Sequence, residues 1–172
     1  MNIRWSLKLR GSMAIACLGL VALAGCEAGT EPSASKSATR ARQVARGNLR
    51  FVEGYQAGTE RAAAEAKPML LFFTAEWCHF CHQMADEAFT HPHVVGLSEQ
   101  FVCVLVDADS EPDVCRQFHV TGFPTIQFLS ARGAPLERVV GKKPGHQLMM
   151  TMQAALQTVA RTQEIPVASR AR

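Results

Sequence analysis

Apolar runs and helical repeats alternate along the chain from Asn48 onward. Runs of consecutive apolar residues are typical of buried strands, and apolar residues spaced three or four apart are typical of amphipathic helices. The pattern predicts strands at Leu49 to Tyr55, Met69 to Thr74, Phe101 to Val106, Thr125 to Leu129 and Leu136 to Val140. It predicts helices at Thr59 to Ala66, Cys78 to Phe89, Pro92 to Glu99, Glu111 to Phe118 and Gly145 to Arg161. This order predicts an α/β fold with a central mixed β-sheet, helices on both faces and the first strand at an edge.

The first 25 residues have the organisation of an export signal. Arg4, Lys8 and Arg10 precede an apolar segment that is too short to span a bilayer as a stable helix and that runs into Leu23-Ala24-Gly25-Cys26. This arrangement resembles a bacterial lipoprotein signal, which implies cleavage before Cys26 and acylation of its thiol and amine. An ordinary secretory signal with a chance cysteine is the alternative. Glu27 is not the aspartate that resembles an inner-membrane retention signal, which favours the outer membrane.

The remaining residues divide into a tether, one domain and a short tail. Residues 26–47 begin with the candidate lipidation site and are rich in Ala, Ser, Gly and charged residues, which predicts a flexible tether. Residues 48–161 form the predicted domain and 162–172 the tail.

Charge excludes one class of partner. The chain has 18 Lys and Arg against 15 Asp and Glu, a net charge of +3, but three of the basic residues leave with the signal. The mature chain is therefore near neutral. Because no basic patch is interleaved with aromatic residues, the sequence gives no indication of nucleic-acid binding.

The strongest chemical signal follows the apolar run at Met69 to Thr74 and reads Trp77-Cys78-His79-Phe80-Cys81. Two thiols three positions apart, where a strand turns into a helix, can close a small disulfide and reopen it. Free backbone N–H groups at a helix start favour thiolate over thiol, so Cys78 is the expected nucleophile and Cys81 the resolving thiol. His79, when protonated, would favour the Cys78 thiolate further.

A metal site is the competing interpretation of the same residues. A structural zinc site needs a second pair of ligands at similar spacing, and Cys103 and Cys115 stand twelve apart, so they do not supply one. A copper or zinc carrier using the cluster from Cys78 to His82 stays open as an alternative function. The prediction for this site is redox chemistry without a resident metal or a dissociable cofactor.

Three features together resemble the thioredoxin fold over about Asn48 to Arg161. They are a strand ending in Trp-Cys-x-x-Cys, a strand ending in Val-Asp-Ala-Asp, and Thr121-Gly122-Phe123-Pro124-Thr125 before a strand. The resemblance implies that Phe123 and Pro124 form a cis-proline loop beside the redox pair, where the backbone pairs with an extended substrate. It also implies that Trp77 shields one side of the pair. Phe80 is expected to be a packing or rim residue. The stretch from Cys78 to Met84 is similar to a subgroup reading Cys-His-Trp-Cys-His-x-Met.

One departure from the family concerns proton transfer. Thioredoxins resemble one another in carrying a buried aspartate six positions before the nucleophile, and Phe72 stands there in this chain. The nearest titratable candidates in sequence are Glu76 and His82. The alternatives are a solvated loop carboxylate for Glu76 and a surface histidine for His82.

Cys103 and Cys115 allow three interpretations. They are two buried free thiols, a second disulfide joining a strand to the next helix, or a second electron-relay pair.

The sequence therefore predicts a thiol-disulfide oxidoreductase of thioredoxin fold that is lipid-anchored and faces the periplasm. Its expected partners are protein thiols or disulfides of the cell envelope and an upstream redox partner. The direction of electron flow is left open, because related folds span potentials from about −270 to about −120 mV. A non-catalytic domain that holds peptides at the cis-proline edge is a further alternative.

Overall fold

The computed structural model describes residues 41–164. The predicted signal peptide, Cys26, most of the predicted tether and the residues after Glu164 lie outside this range. The strands are β1 (Gln43–Arg46), β2 (Leu49–Glu53), β3 (Met69–Thr74), β4 (Val102–Asp107), β5 (Thr125–Leu129) and β6 (Pro135–Val140). The helices are α1 (Tyr55–Glu65), α2 (His79–Glu87), α3 (Pro92–Ser98), α4 (Pro112–Gln117) and α5 (Gly145–Glu164). Within the described range, no helix is both long enough and apolar enough to span a membrane.

The six strands form one mixed sheet in the order β1-β2-β4-β3-β5-β6. The strands β2, β4 and β3 are parallel, whereas β1, β5 and β6 pair antiparallel with their neighbours. Every residue of β3 is buried, as expected for a central strand with helices on both sides. The mixed sheet predicted from the sequence is confirmed.

Alternating side chains of β3 supply two apolar cores, one on each face of the sheet. Leu70 and Phe72 contribute to the first core, where α2, α3 and α5 pack through Met84, Val94 and Leu148. This core also holds both cysteines of the Cys78–Cys81 pair. The opposite face buries Met69, Leu71 and Phe73 with Ala62 of α1 and Cys115 of α4. Helices therefore cover both faces, as predicted.

The predicted tether ends too late, because Gln43–Arg46 is a strand. Its four residues pair antiparallel with β2, so β1 is the edge strand and β2 is interior. The turn between them contains Gly47 with a φ of 55°, a left-handed conformation that suits glycine. A Cβ there would also lie 2.2 Å from the Ala85 carbonyl oxygen. The assignment of residues 43–46 to a tether, and of Leu49 to Tyr55 to an edge, was wrong.

Two helix boundaries also differ from the sequence prediction. Helix α1 begins at Tyr55 instead of Thr59, after Gly54, which has a φ of 92° and provides no side-chain cap. Helix α5 continues to Glu164, so residues 162–164 belong to the domain and not to a tail.

Candidate active site

Cys78 and Cys81 form a disulfide where the chain passes from β3 into α2. The S–S distance is 2.05 Å and the two Cα atoms are 5.2 Å apart. Cys78 is the N-cap of α2, and its Sγ accepts a hydrogen bond from the Cys81 N–H at 3.2 Å. The helix itself begins at His79, one residue after the predicted start. The predicted placement of the pair at a helix start is therefore confirmed.

Large apolar side chains stand exposed around the buried sulfur pair. Cys78 and Cys81 are 5% and 2% exposed, whereas Trp77 is 68% and Phe80 58% exposed. Single exposed apolar residues are common, but two adjacent to a reactive pair form a surface on which an apolar partner can pack.

Trp77 is held by two neighbouring loops. Its indole N–H donates to Asp109 Oδ1 at 3.3 Å, in the loop after β4. Its ring packs edge-on against Phe123, with centroids 5.8 Å apart, in the loop before β5. The contact with Asp109 was not predicted, although the Val-Asp-Ala-Asp strand end was recognised in the sequence. The sequence did contain a signal for this contact, because Asp109 is an acidic residue just after β4, the strand that pairs with β3.

The Phe123–Pro124 peptide bond is cis, as predicted. The Pro124 carbonyl accepts from the Gly141 N–H at 2.8 Å, and the next residue, Thr125, is the Cα partner of Phe73. This register places the proline loop at the same end of the sheet as the segment that leads into Cys78. The pairing of this loop with an extended substrate remains a prediction.

The histidines and Glu76 near the pair have polar partners of their own. The Gln83 amide donates to His79 Nε2 at 2.9 Å, and His82 Nε2 donates to the Glu76 carbonyl at 2.8 Å. The Glu76 side chain is exposed. In the part of the chain that the structure describes, no three His, Cys, Asp or Glu side chains are grouped as metal ligands. The role of His79 toward the thiolate stays a prediction.

A polar cavity of about 470 Å³ lies beside the segment between β3 and α2. Phe72, the residue at the position of the family's aspartate, is 1% exposed and belongs to the apolar core. The cavity is lined by Arg46, Thr74, Ala75, Glu76, His82 and Asp107. It therefore contains both titratable residues suggested by the sequence, together with Asp107 and Arg46, which the sequence analysis missed.

Cys103 and Cys115 are free thiols on opposite faces of the sheet. Of the three interpretations, two buried free thiols is therefore the one that the structure shows. A second disulfide is contradicted, because the sheet itself separates the two residues. Burial raises the pKa of the Cys103 thiol to about 12. Burial also raises the pKa of Cys115, with smaller contributions from the carboxylates of Glu111 and Asp107. Because their pKa values are raised, both thiols keep their protons at neutral pH. An electron relay needs the reactive thiolate form, so these two cysteines do not suit that role.

Comparisons with known proteins agree with this geometry. The family model described as thioredoxin-like matches residues 50–131. The disulfide bond reductase DsbH of Chlamydia pneumoniae is 31% identical over 150 residues, which are 80% of this chain and 88% of that protein. The thiol:disulfide interchange protein DsbD of Vibrio vulnificus is 29% identical over 129 residues, 69% of this chain, but these are only 22% of that protein. A solved structure of a DsbH oxidoreductase aligns with a TM-score of 0.56 and 27% identity, covering 67% of this chain and 90% of that one.

Proposed function

This chain belongs to the thioredoxin-like family and is a thiol-disulfide oxidoreductase, and from that premise we propose that it is a disulfide reductase held at a bacterial membrane and facing the cell envelope. The observation that carries the proposal is the Cys78–Cys81 disulfide at the start of α2, beside the exposed side chains of Trp77 and Phe80. The relative named disulfide bond reductase supports the reductive direction.

The exchange follows from the two sulfur positions. In the reduced chain, the Cys78 thiolate attacks one sulfur of a substrate disulfide, and the other substrate sulfur leaves as a thiolate. Cys81 then loses its proton and attacks Cys78 Sγ, which breaks the mixed disulfide. The substrate leaves with two thiols, and the chain holds the Cys78–Cys81 disulfide that the structure shows. Two electrons have passed from the chain to the substrate.

Exported proteins are the proposed substrates, and a second thiol protein is the proposed electron donor. A reductase must be returned to its dithiol form after each cycle, so an upstream partner is required. The likeness to part of DsbD, a thiol:disulfide interchange protein, supports a partner of this kind. The exposed Trp77 and Phe80 favour protein substrates, because an apolar rim gains affinity by burial against a partner.

The direction of electron flow is tested by the redox state of Cys78 and Cys81 in growing cells. Proteins are precipitated with acid and their free thiols are labelled with a heavy alkylating reagent. A reductase is expected to be mostly dithiol and to gain two labels relative to a Cys78→Ser, Cys81→Ser double variant. A pair found mostly as disulfide in growing cells would contradict the reductive direction.

The membrane attachment rests on Cys26, which lies outside the described residues. Labelled palmitate should enter the wild-type chain, and Cys26→Ala should lose the label. Cys17→Ala removes a cysteine of the signal itself and is the matched control, so it should keep the label. An unlabelled wild-type protein would contradict the lipid anchor, and the first 25 residues would then be an ordinary secretory signal.

A further inference from the structure

The resolving thiol needs a proton acceptor that its immediate surroundings on the sheet do not provide. Cys81 attacks as a thiolate, so its proton must leave before or during the attack. On the sheet face that carries the cysteine pair, Phe72 and Leu105 are paired across β3 and β4. They are 1% and 2% exposed, and neither side chain can accept a proton.

The first polar pair on this face lies two residues further along the same strands. Alternate residues of a strand point to the same face of the sheet. The next Cα partners on the face of Phe72 and Leu105 are therefore Thr74 and Asp107. Two residues correspond to about 6.6 Å along a strand, toward the end that leads into Cys78. Asp107 is the carboxylate of that pair.

The polar cavity is lined by both residues of this pair and by residues that neighbour the cysteines in sequence. Ala75 forms part of its wall and accepts from the Cys78 N–H at 3.1 Å through its carbonyl. His82, the residue after Cys81, lines the cavity as well and is fixed by its bond to the Glu76 carbonyl. A polar space of about 470 Å³ is large enough for several water molecules, each of which needs only about 30 Å³ in the liquid.

We propose that Asp107 accepts the proton of Cys81 through this cavity. The charged or titratable groups that surround Asp107 are Arg46 of β1, Glu76 and His82 beside the cysteines, Asp109 and Glu111 in its own loop, and Cys115 of α4. Arg46 brings positive charge to the cavity. The proposal rests on the exchange chemistry of the proposed function and does not depend on membrane attachment or on the direction of electron flow.

Cys81 gives its proton to Asp107, and its sulfur forms a bond with Cys78 Sγ. The bond between Cys78 and the substrate sulfur breaks, and its electron pair leaves with the substrate thiolate. That thiolate takes up the proton from Asp107, or it takes a proton from solvent while Asp107 releases its own proton to solvent. Either route returns the carboxylate to its starting form.

The test measures the lifetime of the mixed disulfide on Cys78. The reduced full-length chain is mixed with excess oxidised glutathione, quenched with acid at intervals and analysed by peptide mass spectrometry. The peptide that carries Cys78 and Cys81 first gains one glutathione and then loses it as the internal disulfide closes. Appearance of the adduct reports attack by Cys78, and its decay reports attack by Cys81.

Asp107→Asn should slow the decay of the adduct about a hundredfold or more at about pH 7, because a positioned proton acceptor typically contributes about 10²- to 10⁴-fold. Formation of the adduct should be unchanged. The difference from wild type should disappear above about pH 9, where thiols ionise without an acceptor. Asp107→Glu should restore most of the rate. Asp86→Asn removes an exposed carboxylate of α2 and should change neither step.

Two results would overturn the role of Asp107. One is an adduct that decays in Asp107→Asn as fast as in wild type. The other is equal slowing of formation and decay at every pH, which indicates a structural defect. A wild-type chain that forms no adduct at all would instead contradict the exchange chemistry itself.

Discussion

Phe80 exposes more than half of its side chain although it stands between the two reactive cysteines. Because the Phe80 side chain is largely exposed, truncating it removes few packing contacts within the fold. A change in activity would therefore report contact between Phe80 and a substrate. Phe80→Ala should slow reduction of insulin about fivefold, which corresponds to about 1 kcal/mol of lost binding. Reduction of a small disulfide should be unaffected. Met150→Ala, which truncates another large apolar residue with 61% exposure, is the matched control and should leave both rates unchanged.

Cys103 has a testable effect on stability in alkali. Burial raises its pKa from 9.0 to about 12, so the folded thiol keeps its proton where the unfolded thiol loses it. Its contribution to stability is complete below pH 9 and decreases as the pH rises from there toward 12. Wild type should lose about 1 kcal/mol more than Cys103→Val between about pH 8 and pH 10, measured by urea unfolding. Equal losses in the two proteins would show that Cys103 does not titrate on unfolding.

At the scale of elements, α1 packs on β4 through a glycine. A Cβ on Gly58 would lie 2.3 Å from Val104 Cγ2, whereas a Cβ on Gly96 in α3 would meet nothing within 4 Å. Gly58→Ala should therefore lower the free energy of unfolding by about 1 to 3 kcal/mol through overpacking. Gly96→Ala should raise it by about 0.5 to 1 kcal/mol, because alanine favours the helix. Urea unfolding checks both, and a Gly58→Ala protein as stable as wild type would contradict the packing.

The elements that could be predicted from the sequence are those whose apolar pattern is strong. The run from Met69 to Thr74 and the segment Thr125 to Leu129 are strands with the predicted bounds. The strand Gln43–Arg46 was missed because only Val44 is a large apolar residue, as suits an edge with little burial. The start of α1 was missed because Gly54 provides no capping side chain.

The parts of the site that could not be predicted depend on contacts between residues that are far apart in sequence. The spacing of Cys78 and Cys81, with the helix after them, was enough to indicate the redox pair. The separation of Cys103 from Cys115 depends on which side of the sheet α4 crosses, which the local sequence does not determine. Asp107 becomes significant only because the register of β3 and β4 brings it next to Thr74.

At the scale of the whole molecule, the sheet brings three loops together at one end. They are the segment into Cys78, the loop after β4 that holds Asp109, and the loop before β5 that ends in Pro124. The parallel pairing of β3 with β4 and the antiparallel pairing of β3 with β5 place all three beside the end of β3. Trp77 contacts the other two loops, so the redox pair is held in a surface built from distant parts of the chain.

The central claim is that Cys78 and Cys81 carry out dithiol exchange with proteins. The most direct measurement is the reduction of insulin by dithiothreitol, followed as turbidity, with and without the full-length chain. Wild type and a Cys115→Ala control should accelerate the reaction, and Cys78→Ser should abolish the acceleration. Cys81→Ser should instead accumulate mixed disulfides with insulin, because the resolving thiol is gone. Equal acceleration by wild type and Cys78→Ser would contradict the account.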